Sequence, residues 1–222
     1  MDYVESVLPA ARIAAQNLYN CRGIYIPITG DPAAKCLKTE TSWSEWTGAA
    51  AWLAHHFWLR WEYSCDREFR NNKFYHLYKE EGLCYQDYLV ADTRKDSPPY
   101  AKLVTVPYCS PTASTQVGPT PVSLVIGATM DFELIYKVFT NLLRASEILG
   151  IDQEKRSEWQ NILDKIPALQ VGKSGQLQKW LVDYKKRTIV GHSAVSQQYA
   201  LLASGQITPE RTPELARAAH IK

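Results

Sequence analysis

The sequence predicts a mostly α-helical protein, and three observations carry the prediction. Apolar residues recur at intervals of three and four over most of the chain. N-cap residue types, Gly and Pro bracket several of those runs. Strand-like patterning gathers in one interval, residues 91–128, apart from a short piece at Leu177–Val182 that reads as extended or helical. At 222 residues the chain can form one large domain or two small ones. Its 45% apolar content can build a core without disulfides or metal.

The elements follow in order. Residues 3–20 read as a helix with Val4, Val7, Leu8, Ile13 and Leu18 as its apolar set, and Pro9 should kink it or trim its start. Residues 21–45 read as a long irregular loop punctuated by Pro27, Gly30 and Pro32. A loop of that length inside a compact domain is usually functional. Residues 46–63 form the next helix, apolar nearly all round and therefore expected to be buried. Asp66 is the expected cap of a helical segment over 68–90, with a break at Gly82. Short strands around a loop follow, from Leu103–Val106 and Val122–Ile126.

Helix returns over 130–149, with Leu134, Val138, Leu142, Ala145 and Leu149 on its face and Gly150 as its stop. Asp152 is the expected cap of a helix through Leu163, and residues 193–203 also read as helical. The last helix opens at Thr212-Pro213-Glu214, with Thr as cap, Pro in the first turn and Glu at the positive dipole end. It meets no Gly, Asn or Pro before Lys222, so it is expected to run to the end of the chain. With the abrupt start, this leads us to expect a fragment.

Composition excludes several classes. Lys and Arg number 25 against 23 Asp and Glu, for a net charge of +2, and no concentrated basic face marks a nucleic-acid binder. No apolar run has the length of a membrane span, and the opening Met1-Asp2-Tyr3-Val4-Glu5 is not a signal peptide. Cys21, Cys36, Cys65, Cys84 and Cys109 are odd in number and widely spaced. They make neither a zinc pattern nor a compact disulfide framework, and their spacing is compatible with free thiols or a single disulfide. No cofactor and no metal is expected. Trp43, Trp46, Trp52, Trp58 and Trp61 lie within nineteen residues. Such rings stack on the C–H faces of sugars and also fill cores; composition alone favours the core.

Several strings make the reading specific. Cys21-Arg22-Gly23 is followed by Thr29-Gly30-Asp31, then by Gly48-Ala49-Ala50-Ala51-Trp52-Leu53-Ala54-His55-His56. Asp66-Arg67-Glu68-Phe69, Asp87-Tyr88-Leu89-Val90, Thr129-Met130-Asp131 and Ala145-Ser146-Glu147-Ile148-Leu149-Gly150 come next. Gly175-Gln176-Leu177-Gln178-Lys179-Trp180 and the run from Gln206 to Leu215 complete the series. In number and order these strings resemble the catalytic domain of glycoside hydrolase family 95, the α-L-fucosidases and related α-L-galactosidases. The resemblance implies an (α/α)6 toroid of twelve helices between β domains. The six or seven helices read above would then make a half-barrel of helical hairpins with a short β-hairpin insertion. It also implies one incomplete catalytic domain over 1–222, a fucosylated glycan as substrate and a parent enzyme that is often secreted or periplasmic.

The chemistry departs from the family. Inverting glycosidases need an acid for the leaving oxygen and a base that activates water on the opposite face. The family acid lies in a Ser-Pro-Glu-Asn string, and the matching string here is Ser110-Pro111-Thr112-Ala113. The Thr112 hydroxyl holds its proton too tightly to serve as a general acid. The base-side strings, an Asn assisted by an Asp, are not among these 222 residues. A Gly-His-Arg-His-Leu-Ser-His clamp is reduced to Gly191-His192-Ser193-Ala194-Val195-Ser196-Gln197. The matched strings leave Asp31, Trp46, Trp52, His56, Asp131 and His192 as candidate sugar contacts. Asp131 also reads as a helix-dipole partner, His56 and the two Trp residues as core, and Glu133 and Glu147 as structural or solvent-facing. A non-catalytic carbohydrate-binding relative and, more weakly, a helical interaction scaffold are the rival readings.

A half-barrel would leave apolar helix faces open, to be covered by self-association or by a complementing half. Light scattering of the purified chain should therefore report a mass above that of one 25.2 kDa chain. A monodisperse monomer that unfolds cooperatively would refute this.

Overall fold

The computed structural model describes residues 2–31, 33, 36–38, 45–66, 68, 73–96, 100–106, 108–109, 115–117, 120–122, 124–183 and 195–221. Among them the fold is mostly α. The helices are α1 (Asp2–Tyr19), α2 (Ala49–Ser64), α3 (Tyr75–Tyr88), α4 (Thr129–Leu149), α5 (Arg156–Lys165), α6 (Tyr199–Leu202) and α7 (Pro213–Ala219). None of these is long and apolar enough to cross a membrane. Two compact units result, one of residues 1–89 with 135–164 and one of residues 90–134 with 165–222. Helix α4 gives its first residues, through Leu134, to the second unit and the remainder to the first.

The first unit is built of helices in two antiparallel sets. Its pairings establish the directions. Late α2 meets the start of α3, where Trp58 lies against Phe74 and Tyr78 at centroid separations of 5.3 and 6.2 Å. Early α2 meets late α3, where the Tyr85 hydroxyl donates to the Thr47 carbonyl. These two helices therefore form an antiparallel hairpin. By contrast α1 and α3 run parallel: Lys73 pairs with Glu5, Arg12 with Glu80, and Arg22, just past α1, with Asp87. Helices α2 and α4 are also parallel, with Lys137 and Arg144 over the Trp58 ring and Arg144 reaching Glu62. Antiparallel sequential helices with parallel next-nearest neighbours are the pattern of stacked αα-hairpins.

Several local expectations are corrected. Helix α3 does not break at Gly82. A Cβ there would come within 2.6 Å of Leu142 Cδ1, so the glycine permits close approach of α4. Pro9 does not trim α1, which begins at Asp2. The 21–45 loop contains a strand pair, β1 (Thr29–Asp31) with β2 (Cys36–Lys38), antiparallel with Asp31 opposite Cys36. The tryptophan-rich helix begins at Ala49, and it is not buried all round: Trp52 is 40% exposed and Tyr63 88%. Asp66 precedes residues 69–72, which lie outside the described ones, so the capped start expected there is not described. Asp152 makes no cap bond; it sits in the left-handed region and its carboxylate accepts hydrogen bonds from the Tyr75 hydroxyl at 2.5 Å and from Lys79 at 2.7 Å.

The second unit holds β3 (Val90–Ala91), β4 (Leu103–Val104), β5 (Tyr108–Cys109), β6 (Thr115–Val117), β7 (Thr120–Val122) and β8 (Leu124–Val125). They pair antiparallel as β3 with β4, β5 with β8 and β6 with β7. A small core of Leu177, Ala200, Ile207, Ala216, Ala218 and Ala219 packs beneath α6 and α7. Helix α7 stops at Ala219 rather than running to the chain end. Thr212 does not cap it; its hydroxyl donates to the Thr208 carbonyl and accepts from the Thr208 amide.

The helix packing makes a direct prediction. Gly82→Val should destabilise the protein by about 1–3 kcal/mol through overpacking against Leu142. Trp58→Ala should cost about 3–5 kcal/mol by emptying the aromatic cluster. Urea unfolding followed by circular dichroism measures both.

Candidate functional site

In the first unit the sequence-predicted residues lie on the β1–β2 pair and on α2. Gly30 sits against the Tyr3 hydroxyl, where a Cβ would come within 1.9 Å, and that hydroxyl donates to the Cys36 carbonyl at 3.2 Å. These contacts hold the strand pair on α1. Asp31 is half-buried and accepts from the Ala33 amide at 3.0 Å, a local turn that orients its carboxylate. Trp46, just before α2, is only 4% exposed and belongs to the core.

Trp52 and His56 are four residues apart on α2, and both are exposed. Arg60 and Tyr63 continue the same outward stripe. The alanines of α2, with Phe57, Trp58 and Trp61, occupy the buried face. Such a stripe offers ring faces for C–H stacking beside hydrogen-bonding groups that suit hydroxyls. Arg60 and Tyr63 were absent from the sequence-based candidates because the helix read as apolar all round. Beside the stripe, His55 is buried, and burial chiefly, with Lys137, lowers its pKa to about 4.

In the second unit the start of α4 carries two acids, Asp131 in its first turn and Glu133 just after it. Thr129 anchors that turn: its hydroxyl donates to the Gln178 carbonyl at 2.6 Å and its amide to the Lys179 carbonyl at 2.9 Å. Asp131 is fully buried, and the Thr105 hydroxyl donates to its Oδ2 at 3.3 Å. Glu133 is equally buried, so it is not solvent-facing. Neither of its carboxyl oxygens has a well-formed hydrogen bond, and desolvation raises its pKa well above the carboxylate range. Its carbonyl accepts from Gln206 Nε2 at 2.6 Å. Spacing along α4 places Glu133 off the Leu134–Val138 stripe, so the sequence carried no signal of its burial.

Thr112 and His192 lie outside the described residues. Among the described residues no group of three His, Cys, Asp or Glu side chains could hold a metal ion. A cleft of about 450 Å³ in the first unit is lined by Val4, Leu8, Phe57 and Leu77, with His76 and the Arg12–Glu80 pair at its polar side. None of the sequence-predicted candidates lines it.

The buried groups set a pH dependence. A neutral native Glu133 retains its proton where the unfolded chain has lost it, so stability falls as pH rises above about 4.3. Glu133→Gln should match the wild type below that pH and gain on it above, by at most about 1.4 kcal/mol per pH unit until the native pKa is reached. His55 has the opposite sign. Its native pKa of about 4 lies below its ordinary 6.5, so stability falls as pH drops through that window. His55→Gln should flatten that acid limb. Chemical denaturation at successive pH values tests both.

The whole chain, residues 1–222, matches the glycosyl hydrolase family 95 catalytic domain. It is 31% identical over 222 residues to alpha-L-fucosidase 2 of Arabidopsis thaliana, covering 98% of this chain and 25% of that protein. It is 26% identical over 149 residues to probable alpha-fucosidase A of Aspergillus niger, covering 66% of this chain and 18% of that protein. The chain thus spans a quarter or less of the length of these relatives. Its helix-dominated fold is consistent with part of an (α/α)6 toroid. With every helix named above inside the matched region, the chain belongs to glycoside hydrolase family 95, as part of its catalytic domain.

Proposed function

We propose that these 222 residues are an incomplete helical-barrel catalytic domain of an α-L-fucosidase-like, inverting glycoside hydrolase, and that alone they do not turn over fucosides. The observation that carries this is Thr112 at the position where the family resemblance expects the acid. A threonine hydroxyl cannot protonate a departing glycosidic oxygen near neutral pH. Asp131 and Glu133 do not replace it, since both are fully buried and have no access to a glycosidic oxygen.

The exposed Trp52 and His56 favour a second reading, a relative that binds carbohydrate without cleaving it. An indole face stacks on a sugar's apolar C–H face, and an imidazole can bond its hydroxyls. Both readings take a terminal α-L-fucose or a similar sugar as ligand.

General acid and base help is typically worth about 10² to 10⁴ in rate per group. With neither group supplied, fucosyl glycans should be turned over at background. Residual activity should appear first on an aryl fucoside, whose leaving group needs less protonation. Thr112→Glu in the same chain should not restore turnover, because nothing activates water opposite it. Hydrolysis of an unactivated fucosyl glycan by residues 1–222 would overturn the proposal. Quenching of tryptophan fluorescence by L-fucose, lost in Trp52→Leu, would support the binding reading.

A further inference from the structure

Asp31 ends β1, one strand of a two-stranded ribbon with three paired positions. An isolated ribbon of two strands is marginal in water, so this one needs outside support. Tyr3, in the first turn of α1, supplies it. Its hydroxyl donates to the Cys36 carbonyl on β2 at 3.2 Å, and Cys36 is the residue paired with Asp31 across the ribbon. On β1 the same hydroxyl fills the place of a side chain at Gly30, the residue before Asp31. A Cβ there would lie 1.9 Å from the hydroxyl oxygen and 3.2 Å from the ring carbon that bears it. One oxygen therefore bears on both strands beside Asp31. The helix that carries it is itself fixed, with Val4 and Val7 buried and Glu5 paired with Lys73 at 2.9 Å. Burial chiefly, then the Cys36 thiol and the Asp31 carboxylate, raises the Tyr3 pKa, so the hydroxyl keeps its proton and remains a donor. Tyr3 stands outside the strings that carry the family resemblance.

We infer that Tyr3 is a positioning residue whose hydroxyl, by tying both strands of the ribbon to α1, sets where the Asp31 carboxylate stands. Oδ1 of Asp31 accepts from the Ala33 amide at 3.0 Å, and that bond keeps its geometry only while the ribbon keeps its place. The consequence for a ligand rests on the carbohydrate reading given above, in which Asp31 is a sugar contact. A carboxylate accepts a sugar hydroxyl with the strength of a charge-assisted bond. Held in place beforehand, it loses little freedom when the sugar arrives. Removing the Tyr3 hydroxyl releases the ribbon and leaves Asp31 chemically intact but less well ordered.

The test uses the intact chain and two readouts, amide exchange of Ala33 by NMR and the Kd of L-fucose by tryptophan fluorescence. Tyr3→Phe keeps the ring and removes the donor. Ala33 exchange should quicken by about threefold to tenfold, the range one neutral hydrogen bond controls, and the Kd should rise by a similar factor. Asp31→Asn should also weaken fucose binding, and adding Tyr3→Phe to it should weaken it no further. Gly30→Ala is the geometric check. Its methyl group displaces the hydroxyl, so alone it should match Tyr3→Phe, and in the Tyr3→Phe background it should add little. Val7→Ala, which loosens α1 away from the ribbon, should lower the thermal midpoint and move neither readout. Unchanged Ala33 exchange in Tyr3→Phe, or losses of affinity in Tyr3→Phe and Asp31→Asn that add in full, would overturn the inference. Faster Ala33 exchange in Tyr3→Phe with no response of the wild type to L-fucose would uphold the positioning by Tyr3 and overturn Asp31 as a sugar contact.

Discussion

Trp58 is 1% exposed and meets Trp61 of its own helix, Phe74 and Tyr78 of the α3 hairpin arm, and the cationic heads of Lys137 and Arg144 from α4. Filling that space requires α2, α3 and α4 to be present together. Edge contacts between rings and cation–π contacts add about 1 kcal/mol each to the burial of large apolar area. Gly82 and Asn141 follow from the same constraint. The glycine lets α4 approach, and the asparagine amide donates to the Tyr78 hydroxyl at 3.0 Å where the rings leave a polar atom inside. Lys79 and Tyr75 then bind Asp152 beyond the end of α4, fixing the far end of the same helix pair.

Packing this dense forces polar groups inside at a cost. Glu81 on α3 is as deeply buried as Glu133 on α4, and burial raises both carboxyl groups well above their ordinary range. Each is held as a neutral acid because water cannot reach it, the reverse of a carboxylate paired with a cation. Asp87 illustrates that alternative: Arg22 holds it below the ordinary range at the protein surface. A raised carboxyl pKa is what general acid chemistry requires, yet burial that complete also denies Glu133 contact with any substrate.

The two faces of α2 differ in burial. One stripe carries the ring cluster; the opposite stripe presents Trp52, His56, Arg60 and Tyr63 outward. Side chains that point outward from a helix whose other side is locked by packing have fixed directions at little further entropic cost.

Periodicity by itself determined that the chain is helical, where α4 begins and ends within a residue, and that Leu134, Val138, Leu142 and Ala145 turn inward. It determined the left-handed stop at Gly150, whose φ is +69°. These are local properties, set by side chains three or four positions apart and by the steric freedom of one residue. The ordered strings together determined the family. Tertiary structure alone decided that Gly82 is a contact and not a break, that Asp152 pairs with a lysine 73 positions away and not with its own helix, and that Thr212 turns back to Thr208. It alone placed Trp46 in the core, turned Trp52 and His56 outward, and sealed Glu133. Which face of a helix meets water, and which partner a polar group finds, depends on segments brought close by folding, and no short-range pattern encodes them.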